Sequence, residues 1–166
     1  MKDEIIAASI ESLRSEGLRF SVDTLANRMK ISKKTIYRYF PDKEALALAI
    51  YERYYDDAEQ RAKALAQSDS QDDRTELLRL YYDSKMLTRG EIFNKYKLNC
   101  SISSYTEKRS ERLWDIILSA SDAGKAADGE NSAALRIIVD GSLEKLCGCD
   151  NAPDAVIERL VKLLWS

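Results

Sequence analysis

Between residues 28 and 43 the cations Arg28, Lys30, Lys33, Lys34, Arg38 and Lys43 face a single acid, Asp42, on a chain whose net charge is −2. The hydroxyls of Ser32, Thr35, Tyr37 and Tyr39 are interleaved with them. Lysine and arginine neutralise phosphates or reach the O6/N7 edge of guanine, and threonine meets a phosphate or a thymine methyl. A dense local positive charge on an acidic chain therefore suggests binding to a polyanion, provided that some scaffold turns these side chains outward.

Apolar periodicity supplies such a scaffold. Ile6, Ile10 and Leu13, with Ile5 and Ala8 beside them, mark one stripe of a helix from Lys2 to Glu16, which Gly17 ends as a left-handed cap. Ser21 is an N-cap for a second helix carrying Val22, Leu25, Ala26 and Met29 at helical spacing, with Phe20 and Leu25 as its hydrophobic staple. Ser32 repeats the device with Ile31 and Ile36 after a turn of about three residues. In the third helix Ile36 and Phe40 share a face that enters a core with Leu13 and Leu25. Lys33, Lys34, Tyr37 and Arg38 point the other way, Thr35 sits at the edge, and Tyr39 bridges the two faces. A short helix, a tight turn and a second helix with cations outward is the helix-turn-helix arrangement that fits a major groove. From periodicity alone, an ordinary helical hairpin with a solvated face, or an adaptor that meets an acidic protein without sequence-specific DNA recognition, fits as well.

The stretch Phe20 to Leu46, FSVDTLANRMKISKKTIYRYFPDKEAL, and above all Thr35 to Leu46, resembles the DNA-binding segment of TetR-type transcriptional regulators. The resemblance implies a dimeric, sequence-specific regulator of double-stranded DNA, a repressor that acts on a palindromic operator and is released by a small-molecule effector. Carried over residue by residue, it puts Lys33, Lys34, Thr35 and Tyr37 toward bases and nearby phosphates and gives Arg38 and Tyr39 to the backbone. Ser21 and Lys43 become phosphate contacts at the starts of the second and fourth helices, while Asp42 caps the fourth helix.

Other chemistries find little support. The chain has no histidine, which removes the commonest general base near neutral pH and the commonest transition-metal ligand. It has no Walker, nucleophile-elbow or Rossmann motif, so neither catalytic residues nor a cofactor is expected. Cys147 and Cys149 form a C-x-C pair with only Cys100 elsewhere, too few soft ligands for a zinc site, and an odd thiol count indicates reduced cysteines. Asp69, Gln71 and Asp73 alternate like calcium-loop ligands, but Arg74 stands where the loop requires glycine. The acidic start and the lack of a long apolar run give a cytoplasmic expectation.

Two prolines and six glycines in 166 residues, with 45% apolar and 33% charged, indicate an all-α chain. Residues 1–48 are expected to form a three-helix DNA-binding domain, and residues 49–166 a helical domain for dimerisation and effector binding. A fourth helix runs from Asp42 toward Ala66 until the polar run Gln67 to Arg74 breaks it. Stripes at Leu77–Leu87, Ile92–Cys100 and Leu113–Ala120 suggest three more helices, and Gly124 to Asn131 reads as a loop. The last two helices, the second opened by Pro153, carry more apolar surface than one chain needs to bury. Leu135, Ile138, Val139, Leu146, Val156, Ile157, Leu160, Val161 and Leu164 are thus the expected dimer interface. Tyr81, Met86, Phe93, Tyr96, Tyr105 and Trp114 are the expected effector-binding residues.

Overall fold

The computed structural model describes residues 1–16, 21–89, 100–126, 128–146 and 154–165. Among them the chain is helical without a strand, in the order α1 (Lys2–Glu16), α2 (Val22–Arg28), α3 (Lys33–Tyr39), α4 (Lys43–Leu65), α5 (Gln71–Arg89), α6 (Cys100–Ala120), α7 (Asp122–Ala126), α8 (Gly129–Leu146) and α9 (Asp154–Leu164). No described helix is long and apolar enough to cross a membrane. Gly17, Phe20, Phe93, Tyr96, Cys147, Cys149 and Pro153 lie outside the described residues, as do the side chains of Leu13, Met86 and Cys100.

Packing divides the chain into two compact units, each built from two stretches: Met1–Asp57 with Leu87–Glu107, and Ala58–Met86 with Lys108–Ser166. A single cut after residue 48 follows the chain, whereas these units follow its contacts.

In the first unit, side chains fix the ends of the short helices. The Ser21 Oγ accepts the Thr24 amide at 3.1 Å, the Ser32 Oγ accepts the Thr35 amide at 3.1 Å, and Asp42 Oδ1 accepts the Ala45 amide at 2.7 Å. Each cap satisfies a donor that the first helical turn cannot, a contribution of about 1 kcal/mol. Between α2 and α3, Lys30 takes the left-handed conformation at φ 55°. Its amide donates to Asn27 O at 3.1 Å and the next amide, of Ile31, to Ala26 O at 3.0 Å. These two bonds form a Schellman closure, which ends α2 within one residue and turns the chain into α3. Ile5, Ile6, Val22, Leu25, Ala26, Ile36, Phe40, Leu46 and Ile50 then make one core, with Ile31 and Tyr39 packed against its edge.

The second unit departs from the sequence reading in three places. The polar run after Gln67 breaks the helix only as far as Ser70, because Gln71 to Arg74 already form the first turn of α5. Asp72 and Asp73 sit in that turn, where the positive end of a helix favours acids. Where a loop was expected over Gly124 to Asn131, Gly124–Ala126 end α7 and Gly129–Asn131 open α8, with Asp128 as the cap before α8; Ala127 lies outside the described residues. The small polar residues act as caps: the Ser121 Oγ accepts the Gly124 amide at 3.0 Å, and Asp128 Oδ1 accepts the Asn131 amide at 3.0 Å. Gly124 is required by close packing, since a Cβ there would lie 2.0 Å from the Leu118 carbonyl oxygen.

The third departure concerns the expected dimer interface. Val139, Leu146, Ile157, Leu160, Val161 and Leu164 are buried within the chain itself, alongside Leu143, Leu113 and Ile117, while Leu135 and Val156 are half-buried. Helical periodicity located an apolar stripe without saying what would cover it, and α8 and α9 cover most of it for each other and their own unit. Of the nine, Ile138 alone is exposed, at 50%, and its neighbour Ile137 is 72% exposed.

Candidate nucleic-acid interface

Helix α3 is anchored from behind by Ile36, fully buried, and by Phe40 at its C-terminal cap. With these two inward, Lys33, Lys34, Tyr37 and Arg38 are exposed, and Thr35 and Tyr39 are half-buried. Tyr37 keeps 38% of its surface free despite its large ring. Tyr39 does bridge the two faces: its ring packs on the core edge, and the Arg38 guanidinium lies 5.3 Å from its centre. A cation over an aromatic face is steered without being neutralised, so Arg38 keeps its charge available.

The hydroxyls are committed locally. Thr35 Oγ1 lies 3.0 Å from the Ser32 Oγ, and Thr24 Oγ1 lies 2.8 Å from the Ser21 Oγ. Ser21, half-buried at the start of α2, and Lys43, exposed at the start of α4, flank α3 in sequence. The first turn of α4, capped by Asp42, adds its amide dipoles to the attraction of Lys43 for an anion.

Not every cation in this run faces outward unengaged. Arg28 Nη1 donates to the Ser12 Oγ at 3.1 Å and Arg28 Nη2 lies 3.7 Å from Glu11 Oε1, so Arg28 ties α2 to α1. Lys33 Nζ forms an ion pair with Asp23 Oδ1, tying α3 to α2. Lys30 and Lys34 are exposed and form no ion pair among the described residues. Asp23 is the functional candidate that sequence reasoning missed, because a pair ten residues apart on two helices leaves no periodic signal.

Of the expected effector residues, the side chains of Tyr81, Tyr105 and Trp114 are described. Tyr81 and Trp114 are buried in the second unit with ring centres 5.6 Å apart. Tyr81 Oη donates to Asp140 Oδ1 at 2.7 Å, and Lys85 Nζ donates to Asp140 Oδ2 at 3.1 Å. Burial, reinforced by the Asp140 charge, pushes the Tyr81 hydroxyl well above the usual tyrosine range. Arg136 joins the cluster, 3.6 Å from Asp140 and 3.4 Å from Glu111. The polar handle of Tyr81 is thus spent inside its own unit. Tyr105 is half-buried and belongs to the first unit. Among the described residues, no group of three or more Cys, Asp or Glu could hold a metal ion.

Comparisons with known proteins bear on both the interface and the fold. Residues 5–50 match the family model described as bacterial regulatory proteins, tetR family. The HTH-type transcriptional regulator EthR of Mycobacterium tuberculosis is 39% identical over 59 residues, which are 36% of this chain and 27% of that protein. An HTH-type transcriptional regulator from the same organism, itself uncharacterized, is 36% identical over 53 residues, or 32% of this chain and 23% of that one. The chain thus spans about a quarter of the length of the curated relatives it matches. Similarity of fold extends further. A transcriptional regulator of the TetR/AcrR family from Thermobifida fusca superposes with a TM-score of 0.61 at 22% identity, covering 98% of this chain and 95% of that one. A second solved structure, from Mesorhizobium loti, gives 0.55 at 20% identity, with 98% and 91% covered.

Proposed function

Because the chain belongs, through its N-terminal segment, to the TetR family of bacterial regulatory proteins, we propose that it is a sequence-specific, DNA-binding transcriptional repressor working as a homodimer. Regulators of this family are transcription factors rather than enzymes. The observation that carries the reading is the outward face of α3, where Lys34, Tyr37 and Arg38 are exposed over a fully buried Ile36. Helix α3 enters the major groove with Tyr37 toward base edges, Lys34 toward a nearby phosphate and Thr35 at its margin. Arg38, Tyr39, Ser21 and Lys43 hold the phosphates on either side.

A second copy of the chain covers α8. Ile137 and Ile138 are exposed next to Ala133, Ala134 and Gly141, a strip of small and aliphatic side chains. A Cβ built on Gly141 would meet nothing within 4 Å, which leaves room for another backbone to approach. Leu163 on α9 is exposed as well, at 43%. Leaving such apolar area in water costs about 25 cal/mol per Å², which association recovers. A two-fold dimer sets its two recognition helices about 34 Å apart, which selects a palindromic operator. Release then needs a small molecule that binds better to an arrangement in which that spacing is lost.

Selection of bound sequences from random duplex DNA, followed by footprinting, tests the reading. Protection confined to a two-fold site is expected, with log K falling against log salt at a slope near about −7 if the dimer neutralises about eight phosphates. No preference over random duplex would leave the helical adaptor as the better description.

A further inference from the structure

Lys33 and Lys34 occupy the first two positions of α3 after the Ser32 cap, and no acid lies in that turn. This inverts the usual preference, since the positive end of a helix disfavours cations. For Lys33 the missing negative charge arrives from another helix, because Asp23, in the first turn of α2, pairs with its ammonium. For Lys34 no such partner occurs among the described residues. One cation is thus compensated within the fold and its neighbour is left at an electrostatic cost, a pattern expected of a group whose counter-charge is external.

We infer that the two adjacent lysines divide their work: Asp23 holds Lys33 as a positioning residue that fixes α3 against α2, and Lys34 delivers its charge to DNA. The inference rests on the DNA-binding reading above and assigns roles within it. Asp23 also tempers the interface. With a side chain 64% exposed, its carboxylate both occupies Lys33 and repels any phosphate that approaches that end of α3.

The full-length chain, with random-sequence duplex DNA as the probe, tests this by fluorescence anisotropy between about 50 and 200 mM salt, the range over which phosphate contacts are most easily counted. Lys34→Gln is expected to flatten the dependence of log K on log salt by about 0.9 per bound recognition helix, the loss of one phosphate contact. Lys33→Gln leaves that slope unchanged. Asp23→Asn frees Lys33, steepens the slope by about 0.9 per helix and tightens binding at low salt several-fold. The double variant Asp23→Asn with Lys33→Gln returns the slope to the wild-type value, a reversal that a purely structural role would not produce. All three side chains are exposed, and circular dichroism of each variant checks that its helices are intact. Equal loss of slope in Lys33→Gln and Lys34→Gln, or an unchanged slope in Asp23→Asn, overturns the division of roles while leaving DNA binding in place. A wild-type chain that fails to bind duplex at the lowest salt removes the DNA-binding reading itself.

Discussion

Helices α3 and α8 each bury one face in the core of their own unit, and they differ in what the opposite face shows to solvent. Helix α3 presents Lys34, Tyr37 and Arg38 over a buried Ile36, whereas α8 presents Ile137 and Ile138 opposite a buried Val139 and Leu143. Water solvates the first face readily and the second poorly, so the two suit different partners: a polyanion for α3 and another apolar surface for α8. The contrast teaches that the informative surface of an amphipathic helix is the part left over once its own core is satisfied. The buried stripe says only that the chain folds.

The largest expected effect separates a core residue from a surface residue in the same pair of helices. Leu160→Glu forces a charge into the interior of the second unit and is expected to cost about 3–5 kcal/mol, unfolding the unit and losing association with it. Ile138→Glu adds its charge where the side chain is already 50% exposed, so sedimentation should report a monomer whose urea midpoint is close to that of the wild-type chain under monomeric conditions. A dimer that survives Ile138→Glu would move the association surface away from α8 and end the contrast.

Alkaline titration compares the interiors of the two units. Burial pushes the Tyr51 hydroxyl from 10.0 up to about 12, and that of Tyr81 is raised further by burial and Asp140. The folded chain favours the protonated phenol in both, so their contribution is complete below pH 10 and is lost as the pH rises through the folded values. For Tyr51 the loss is at most about 3 kcal/mol by linkage. Denaturation followed from pH 9 to 12 should show stability falling above pH 10, with a shallower fall in Tyr51→Phe. A flat profile would mean that these phenols are ionised in the folded chain as easily as in the unfolded one.

Tyr37→Ala tests the polar face alone. It should weaken operator binding by about 1–2 kcal/mol, with dimerisation and helix content unchanged, since the ring is exposed and lies outside the core. Unchanged affinity would take Tyr37 out of the interface. The smallest effect is expected at Lys30, whose left-handed backbone is a strained conformation for any residue but glycine. Lys30→Gly should raise the urea midpoint by an amount equivalent to about 0.5–1 kcal/mol, after the greater entropy of an unfolded glycine offsets part of the relief. Destabilisation instead would show that the lysine side chain itself supports the turn between α2 and α3.

Much of this was legible in the sequence wherever structure is local. Ser21, Ser32 and Asp42 cap the helices they were expected to cap, because a capping side chain reaches only two or three residues along its own chain. The outward placement of Lys34 and Tyr37 follows from helical spacing once Ile36 and Phe40 are taken as inward. Composition misled at Gly124 to Asn131, where a loop-like string of small polar residues closes one helix and, through Asp128, caps the next.

The sequence by itself determined the helical class, the compact N-terminal scaffold and the cationic face of α3, since periodicity, caps and local charge are properties of neighbouring residues. Only the tertiary structure decided which apolar stripe of α8 and α9 is spent internally, that Tyr81 gives its hydroxyl to Asp140, and that Asp23 claims Lys33. Each of these depends on a partner distant in the chain, and one-dimensional order carries no record of which of many chemically suitable partners packing will bring within reach.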